Sequence, residues 1–270
     1  MLLCAVGLRG VLGVTQLDDT VYVVCDLSST IARFNTTTHQ RLPDMRVTGM
    51  SDGWDIAACA RTARLYVADS ADDTWGIKCV WRVSPDGADK QRWLTPSDTF
   101  TPDALSVTSS RLLVTSFGDR QLRQFDTAGG DELRRVRLPD YMDPMHAVES
   151  PTGTFVVANY NTQLNQRQVS EVNTEGQVLR QFSGSLDWSE RIAIDSQGHI
   201  LVADWRNSCI LLLDAQLALR RVIVDQHQLD DERPRRLCYL CYVEQSGQLL
   251  VGLFGLGGGN SVAVFDVLQR

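Results

Sequence analysis

The chain has 270 residues, of which 43% are hydrophobic and 22% are charged, and its formal net charge is −7. These values are typical of one soluble domain, and the acidic balance argues against a general nucleic-acid-binding protein. No apolar run approaches the roughly 20 residues of a membrane-spanning helix, so we expect no membrane segment. The seven cysteines are an odd number and cannot all pair within one chain, which favours reduced thiols in a cytoplasmic protein.

A repeated pattern runs along the chain, and its clearest part is an apolar strand that usually ends in a polar residue. In chain order these strands read YVVCD, LYVAD, LLVTS, FVVAN, ILVAD and LLVGL. They end at positions 26, 69, 116, 159, 204 and 253, so consecutive ends are 43, 47, 43, 45 and 49 residues apart. This near-constant spacing predicts six units of one repeated structure.

Each unit is predicted to contain four short strands. A partner strand precedes the strand named above, as in VLGVTQ, and a third apolar strand follows it, as in TIARFN. The fourth strand, as in ELRRVRL, is more polar, which suits an outer edge with one solvated face. Six such units predict an all-β fold, a six-bladed β-propeller of four-stranded antiparallel blades, as a single domain over residues 1–270.

The ends of the chain are predicted to meet in the last blade. The last unit stops after its third strand, at FDVLQR. The apolar N-terminal segment LLCAVGL is therefore expected to join the last blade as its fourth strand and to close the ring.

One unit also resembles a known repeat. Residues 195–223, DSQGHILVADWRNSCILLLDAQLALRRVI, are similar to an NHL repeat, in which a strand ending in VAD is followed by an Asn and by a strand ending in Phe or Leu plus Asp. LYVADS, FVVANYN and VFD are similar to parts of it in other units. The resemblance implies the propeller of tripartite-motif (RING/B-box/NHL) ubiquitin ligases and a role as substrate receptor. The sequence shows no RING or B-box zinc motif, so this role follows from the resemblance alone.

The charge on one face of the propeller suggests what it binds. Loops between second and third strands, and loops between blades, are expected to surround the central channel on one face, which we call the channel face. The sequence places 18 acidic and 8 basic residues there. Such a face favours basic peptides and repels phosphates, so RNA binding, which some NHL domains achieve with basic residues, is the less favoured function. The alternative is that these Asp residues simply occupy turns.

Aromatic residues are predicted to rim the channel face. They are Trp54, Phe117, Tyr160, Trp188, Trp205 and Phe254. The predicted charged residues of the binding surface are Asp55, Asp103, Asp204 and Arg191. Rings beside carboxylates suit a cationic ligand, whereas the alternative is that the rings only seal the gaps between blades. We therefore expect a monomeric, non-catalytic recognition domain without a cofactor, which binds a protein or peptide partner and favours basic segments.

A metal-dependent hydrolase or lactonase is the alternative function. Its predicted metal is Ca²⁺, held at the channel mouth by oxygens of Asp55, Asp103, Asn159 and Asp204. His146, together with Asp103, is the predicted general base. The acidic residues follow no calcium-loop spacing. Of the four histidines, only two are predicted near the channel, too few for a three-His zinc site.

Overall fold

The computed structural model describes residues 2–3, 10–69, 78–94, 100–108, 110–182, 184–225, 235–255 and 260–267. Regular structure in this part of the chain consists of 24 strands, with no α-helix, and the strands form six four-stranded antiparallel sheets. Each sheet is one blade, so the predicted six-bladed β-propeller is confirmed. Nothing in the described ranges is a helix long and apolar enough to cross a bilayer.

The first three blades follow the order of the chain. Blade 1 comprises β2 (Val11–Leu17), β3 (Thr20–Cys25), β4 (Thr30–Asn35) and β5 (Arg41–Arg46). Blade 2 comprises β6 (Gly53–Cys59), β7 (Arg64–Asp69), β8 (Cys79–Val83) and β9 (Lys90–Leu94). Blade 3 comprises β10 (Ala104–Thr108), β11 (Arg111–Ser116), β12 (Gln121–Asp126) and β13 (Glu132–Arg137).

The last three blades continue the same order, except that the final strand comes from the N-terminus. Blade 4 comprises β14 (Met142–Glu149), β15 (Phe155–Asn161), β16 (Gln166–Val172) and β17 (Val178–Gln181). Blade 5 comprises β18 (Ser189–Ile194), β19 (Ile200–Asp204), β20 (Cys209–Leu213) and β21 (Leu219–Val224). Blade 6 comprises β22 (Arg235–Val243), β23 (Gln248–Gly255), β24 (Ser261–Asp266) and β1 (Leu2–Leu3).

The ring is closed at its axis and at its rim. The innermost strands contact one another in the order β2, β6, β10, β14, β18 and β22, and β22 contacts β2 again. At the rim β1 pairs antiparallel with β24, with Leu2 opposite Ala263 and Leu3 opposite Val262. The expected closure by the N-terminal strand is therefore confirmed, and the last blade has four strands like the others.

The hydrophobic core is divided among the gaps between blades. Six clusters of buried apolar residues occupy the six junctions between neighbouring blades in the described structure. At the first junction, for example, Val24 of blade 1 packs with Ile56 and Val67 of blade 2. Second strands are buried on both faces because each lies between two neighbouring blades, which explains their continuous apolar sequences.

The described cysteines are free thiols in this packing. Burial raises the pKa of Cys25 to about 12 and that of Cys79 to about 11. A thiol with such a pKa is protonated at neutral pH and is a poor nucleophile. These two cysteines therefore act as small apolar core residues.

Two turn glycines test how tightly neighbouring blades pack. Gly176 and Gly153 both have a positive φ, but a Cβ at Gly176 would overlap the carbonyl oxygen of Arg137 in blade 3, whereas a Cβ at Gly153 would meet nothing within 4 Å. Both Ala variants bear the left-handed backbone penalty of roughly 1–2 kcal/mol. We expect Gly176→Ala to lose at least about 2 kcal/mol more in unfolding free energy, measured by urea denaturation, because of the added overlap. Equal losses would contradict tight packing at this junction.

Candidate functional site

The channel face consists of the loops between second and third strands together with the segments that lead into the inner strands. It includes residues 26–29, 47–52, 117–120, 162–165, 184–188 and 205–208. Several loops on this face are held by Asp side chains. Asp69, at the end of β7, accepts hydrogen bonds from the backbone N–H of Ser51 and Asp52 and from Nε1 of Trp81. These bonds hold the segment that leads into blade 2 against the end of the second strand of the same blade.

The same device recurs in blade 5. Asp204 is 1% exposed and accepts bonds from the backbone N–H of Asp187 at 3.1 Å and from Nδ2 of Asn207 at 2.9 Å. Burial raises the pKa of Asp204, although these hydrogen bonds oppose the shift. The oxygens of Asp204 therefore hold loops of blade 5 and lie below the surface, and its role toward a ligand stays a prediction.

Several described acids of the channel face are paired within the protein. Asp103 pairs with Nζ of Lys78 at 2.5 Å and accepts a bond from the N–H of Phe117 at 2.8 Å. Asp143 pairs with Arg120 at 2.6 Å. These aspartates thus use their oxygens on a backbone N–H group and on basic neighbours, as turn aspartates often do. Other acids assigned to this face lie outside the described residues: Asp72, Asp73, Asp98, Asp230, Asp231 and Glu232.

A buried polar cluster joins the inner strands at the channel mouth. Arg191 on β18 lies 3.8 Å from Oδ2 of Asp55 on β6, and its guanidinium carbon is 4.7 Å from the ring centroid of Tyr239 on β22. Nη1 of Arg191 also donates to the carbonyl oxygen of Met145 on β14 at 3.3 Å. Asp55 accepts a bond from the N–H of Leu105 on β10 at 2.9 Å. This axial cluster therefore connects blades 2 to 6.

Burial has the largest effect on the pKa of Asp55, a member of the axial cluster. Asp55 is 5% exposed and Arg191 is 6% exposed. Burial raises the pKa of Asp55, and the opposing effects of Arg191 and two backbone N–H donors do not cancel it. Both side chains are thus mostly withdrawn from solvent and contact other groups of the protein, and their predicted binding roles stay predictions.

His146 lies in the same cluster, with both ring nitrogens in contact with backbone groups. Nδ1 lies 3.5 Å from the N–H of Ile192 and must accept, so Nε2 carries the proton and donates to the carbonyl oxygen of Leu105 at 3.1 Å. Burial, helped by Arg191, lowers the pKa of His146 to about 3. The alternative pair of His146 with Asp103 is not formed, because Asp103 contacts Lys78 and the Phe117 N–H instead.

The four oxygen ligands predicted for Ca²⁺ lie in separate hydrogen-bonded sets. Asn159 is fully buried in blade 4, where its Oδ1 accepts a bond from Oγ of Ser170 at 2.9 Å. Asp55, Asp103 and Asp204 have the partners described above. Across the described ranges, no group of three or more His, Cys, Asp or Glu side chains is arranged to hold a metal ion.

Two cavities meet at the axial cluster. One, of about 330 Å³, follows the channel from Asp55 and His146 to Asp18 and Gln245 near the opposite face. The other, of about 290 Å³, opens on the channel face and is called the face cavity. Its lining is Trp54, Lys78, Pro102, Asp103, Phe117, Met145, Arg191 and Tyr239. Arg191 and Tyr239 line both cavities, so they form the boundary between the face cavity and the channel.

The six predicted aromatic residues fall into three groups. Trp54 and Phe117 are 40% and 45% exposed at the face cavity. Phe254 packs against blade 1, since a Cβ at Gly10 would lie 3.5 Å from its Cε2. The remaining three lie over blades 4 and 5 with arginines between them. We call this set the arginine–aromatic ladder, and it consists of Tyr160, Arg167, Trp188, Arg206, Trp205 and Arg236.

The guanidinium groups and aromatic rings of the ladder lie close to one another. The guanidinium carbon of Arg167 is 5.0 Å from the ring centroid of Tyr160 and 4.5 Å from that of Trp188. The corresponding distances are 5.1 Å from Arg206 to Trp188 and 3.9 Å from Arg236 to Trp205. The two tryptophan centroids are 5.9 Å apart. Three of the predicted aromatics thus already contact cations of the chain itself, which leaves them poorly suited to bind the basic segment that the sequence favours.

Sequence reasoning missed Lys78, Met145 and Tyr239 in the face cavity, and it missed the stacking of the ladder arginines. A sequence signal for the stacking was Arg206 directly after Trp205 at the end of a second strand, although Arg206 lies over Trp188. Arg236, by contrast, comes from the start of β22 in the next blade, and only the closed ring brings it to Trp205.

The buried His146 predicts a pH dependence of stability. Its pKa is about 3 in the folded state and near 6.5 when unfolded, so the unfolded state takes up a proton that the folded state does not. From about pH 7 to about pH 5 this group alone should lower the unfolding free energy by about 2 kcal/mol. Urea unfolding of His146→Gln should show a smaller loss over that range. If the variant does not fold, a wild-type His146 resonance that titrates near its ordinary pKa would contradict this account.

Comparisons with known proteins agree with the fold. The NHL repeat family matches residues 190–211, from β18 into β20 of blade 5, and no curated protein matches the chain. A protein of unknown function from Bacteroides caccae is similar in structure, with a TM-score of 0.70 and 15% identity over 92% of this chain and 89% of that one. Virginiamycin B lyase from Staphylococcus aureus gives a TM-score of 0.63 and 10% identity over 97% and 86%. The WD40 propeller domain of Doa1 gives 0.62 and 13% over 100% and 97%. At these identities the structural matches show the fold alone, and the matched repeat supports an NHL-type propeller.

Proposed function

We propose that the chain is a non-catalytic recognition domain, which binds an extended segment of a protein partner across the channel face. An apolar or aromatic side chain of that segment would enter the face cavity. The observation that carries the proposal is the exposure of Trp54 and Phe117, 40% and 45%, at the edge of a cavity of about 290 Å³. Large exposed rings around a concave site are typical of ligand-binding surfaces.

The chemistry of the face cavity favours an apolar anchor. Pro102, Met145 and the two exposed rings supply apolar surface. The charges of Lys78 and Asp103 are paired at 2.5 Å, so an apolar group that enters the cavity would not bury either charge without its partner. Burial of one large apolar side chain contributes about 1.5–3 kcal/mol, which is enough to anchor a segment that makes further contacts along the face.

Two described segments beside this cavity, residues 100–103 and 116–119, are held by side-chain hydrogen bonds before a partner binds. Asp103 fixes the N–H of Phe117, and Asp119 accepts bonds from Thr101 and Ser116. Loops held in this way lose little conformational entropy on binding. Other exposed apolar residues of the same face, Leu27 and Leu164, extend the surface on which a segment could lie.

A role as substrate receptor of a ubiquitin ligase in the cytoplasm belongs to this proposal, and it is supported by the NHL repeat alone. A protein partner is favoured over RNA because the net charge of −7 opposes phosphate binding. No observation in the described structure favours the calcium-dependent hydrolase.

Panning of a random peptide library displayed on phage tests the proposal directly. We expect the whole chain to enrich peptides with an aromatic or large apolar residue at one position, because that residue fills the face cavity. Trp54→Ala and Phe117→Ala should each lower the affinity for the selected peptides at least about tenfold, measured by fluorescence anisotropy. Each substitution removes apolar contact that contributes about 1.4 kcal/mol or more to the binding free energy.

Leu179→Ala is the matched control, because Leu179 is 49% exposed on the outer strand β17, away from the channel face. It should leave peptide affinity unchanged. All three variants should keep the melting temperature of the wild type within a few degrees, since the side chains are exposed. Peptides that bind equally well to Trp54→Ala and to the wild type would contradict the proposal.

A further inference from the structure

The ladder arginines carry N–H donors for which the described structure shows no carboxylate acceptor, or only a distant one. A guanidinium that stacks on an aromatic ring keeps its N–H groups in its own plane, where they point past the edge of the ring. Among the described residues, neither Arg167 nor Arg236 has a carboxylate partner, and Nη1 of Arg167 is buried without a hydrogen-bond partner. Arg206 has one loose partner, Asp187, at 3.5 Å. The ladder therefore holds guanidinium groups beside aromatic rings, and its own acids leave part of their hydrogen-bonding capacity unused.

Stacking also prepares these donors for a ligand. An isolated arginine loses side-chain entropy when it binds, whereas a guanidinium already held against one or two rings loses less. Arg167 lies between Tyr160 and Trp188, and the hydroxyl of Tyr160 donates to Oδ1 of Asn165 in the same loop. Planar donors fixed in this way match the two oxygens of a carboxylate.

We infer that the arginine–aromatic ladder binds carboxylate side chains, so that the partner segment on the channel face is acidic next to its apolar anchor. This inference rests on the proposed function and names the class of partner: a peptide segment with Asp or Glu residues that lie over blades 4 to 6. The ladder arginines Arg167, Arg206 and Arg236 donate to the carboxylates in this arrangement.

An acidic peptide fits the ladder better than RNA does. Bases stack on open ring faces, but each ladder ring already has a guanidinium within 5.1 Å of its centroid. A carboxylate instead needs only the in-plane edge of each guanidinium. The net charge of −7 opposes any anion at long range, yet charges beyond about 8 Å are largely screened at physiological salt, so the local arginines dominate at contact.

Fluorescence anisotropy with a labelled Glu-rich peptide of roughly ten residues tests the inference on the whole chain. We expect saturable binding to the wild type. We expect Arg167→Gln with Arg236→Gln to weaken it at least about tenfold, because two oriented charged donors are lost. Arg206→Gln, at a more exposed position, serves if the double variant does not fold, and it should weaken binding about threefold or more. Arg236→Lys should weaken binding as well, since lysine keeps the charge and loses the planar donor pair.

A control with the same loss of charge separates the ladder from general attraction. Arg41→Gln with Arg64→Gln removes two arginines from β5 and from the start of β7, away from the ladder, and it should leave the affinity unchanged. An equal loss in this control, or the absence of binding to the wild type, would overturn the inference. Tighter binding of a single-stranded oligouridine of similar length would also overturn it, in favour of RNA.

The two proposals fail in different ways. If the Glu-rich peptide binds through the ladder but no library peptide depends on Trp54, the carboxylate site stands and the face-cavity proposal is wrong. If library peptides depend on Trp54 yet show no acidic preference and ignore Arg167→Gln with Arg236→Gln, the recognition function stands and the ladder serves only to pack blades 4 to 6 together.

Discussion

The buried contact of Arg191 with Asp55 and Tyr239 is the constraint on which the channel face depends. These three side chains come from blades 5, 2 and 6, and each is less than 10% exposed. Charges so deeply buried are costly, and removal of one partner from such a contact typically costs about 3–5 kcal/mol. They lie where contacts join the inner strands of blades 2 to 6. Arg191 and Tyr239 line both the face cavity and the channel, so they lie where the surface that a partner meets continues into the channel.

A second kind of constraint acts around this floor. Apolar clusters at the blade junctions fix the angle of each blade, and aspartates such as Asp69 fix the loops to the strand ends. In the described part of the face, these contacts surround the exposed rings of Trp54 and Phe117 and the arginines of blades 4 to 6. Where the described loops are held by such bonds, less conformational entropy is lost when a partner binds, so recognition depends on where these side chains are placed.

The sequence predicts the fold well because the fold depends on periodic features. Apolar second strands at near-equal spacing determine the number of blades, and the missing last strand determines how the ends meet. The site is harder to predict because it depends on contacts between blades. Asp204 ends a strand in the matched repeat and was expected to face a ligand, but its oxygens are used by the N–H of Asp187 and by Asn207. Arg236 and Trp205 are 31 residues apart, and only ring closure brings them within 3.9 Å.

Hydrogen-exchange mass spectrometry of the whole chain, with and without the Glu-rich peptide at saturation, tests most directly the claim that the channel face is the recognition surface. The account predicts slower amide exchange in the loops at 162–165, 184–188 and 205–208, with no change in the hairpin turns on the opposite face. Protection confined to those opposite turns or to the outer strands would show that the partner binds elsewhere and would contradict the account.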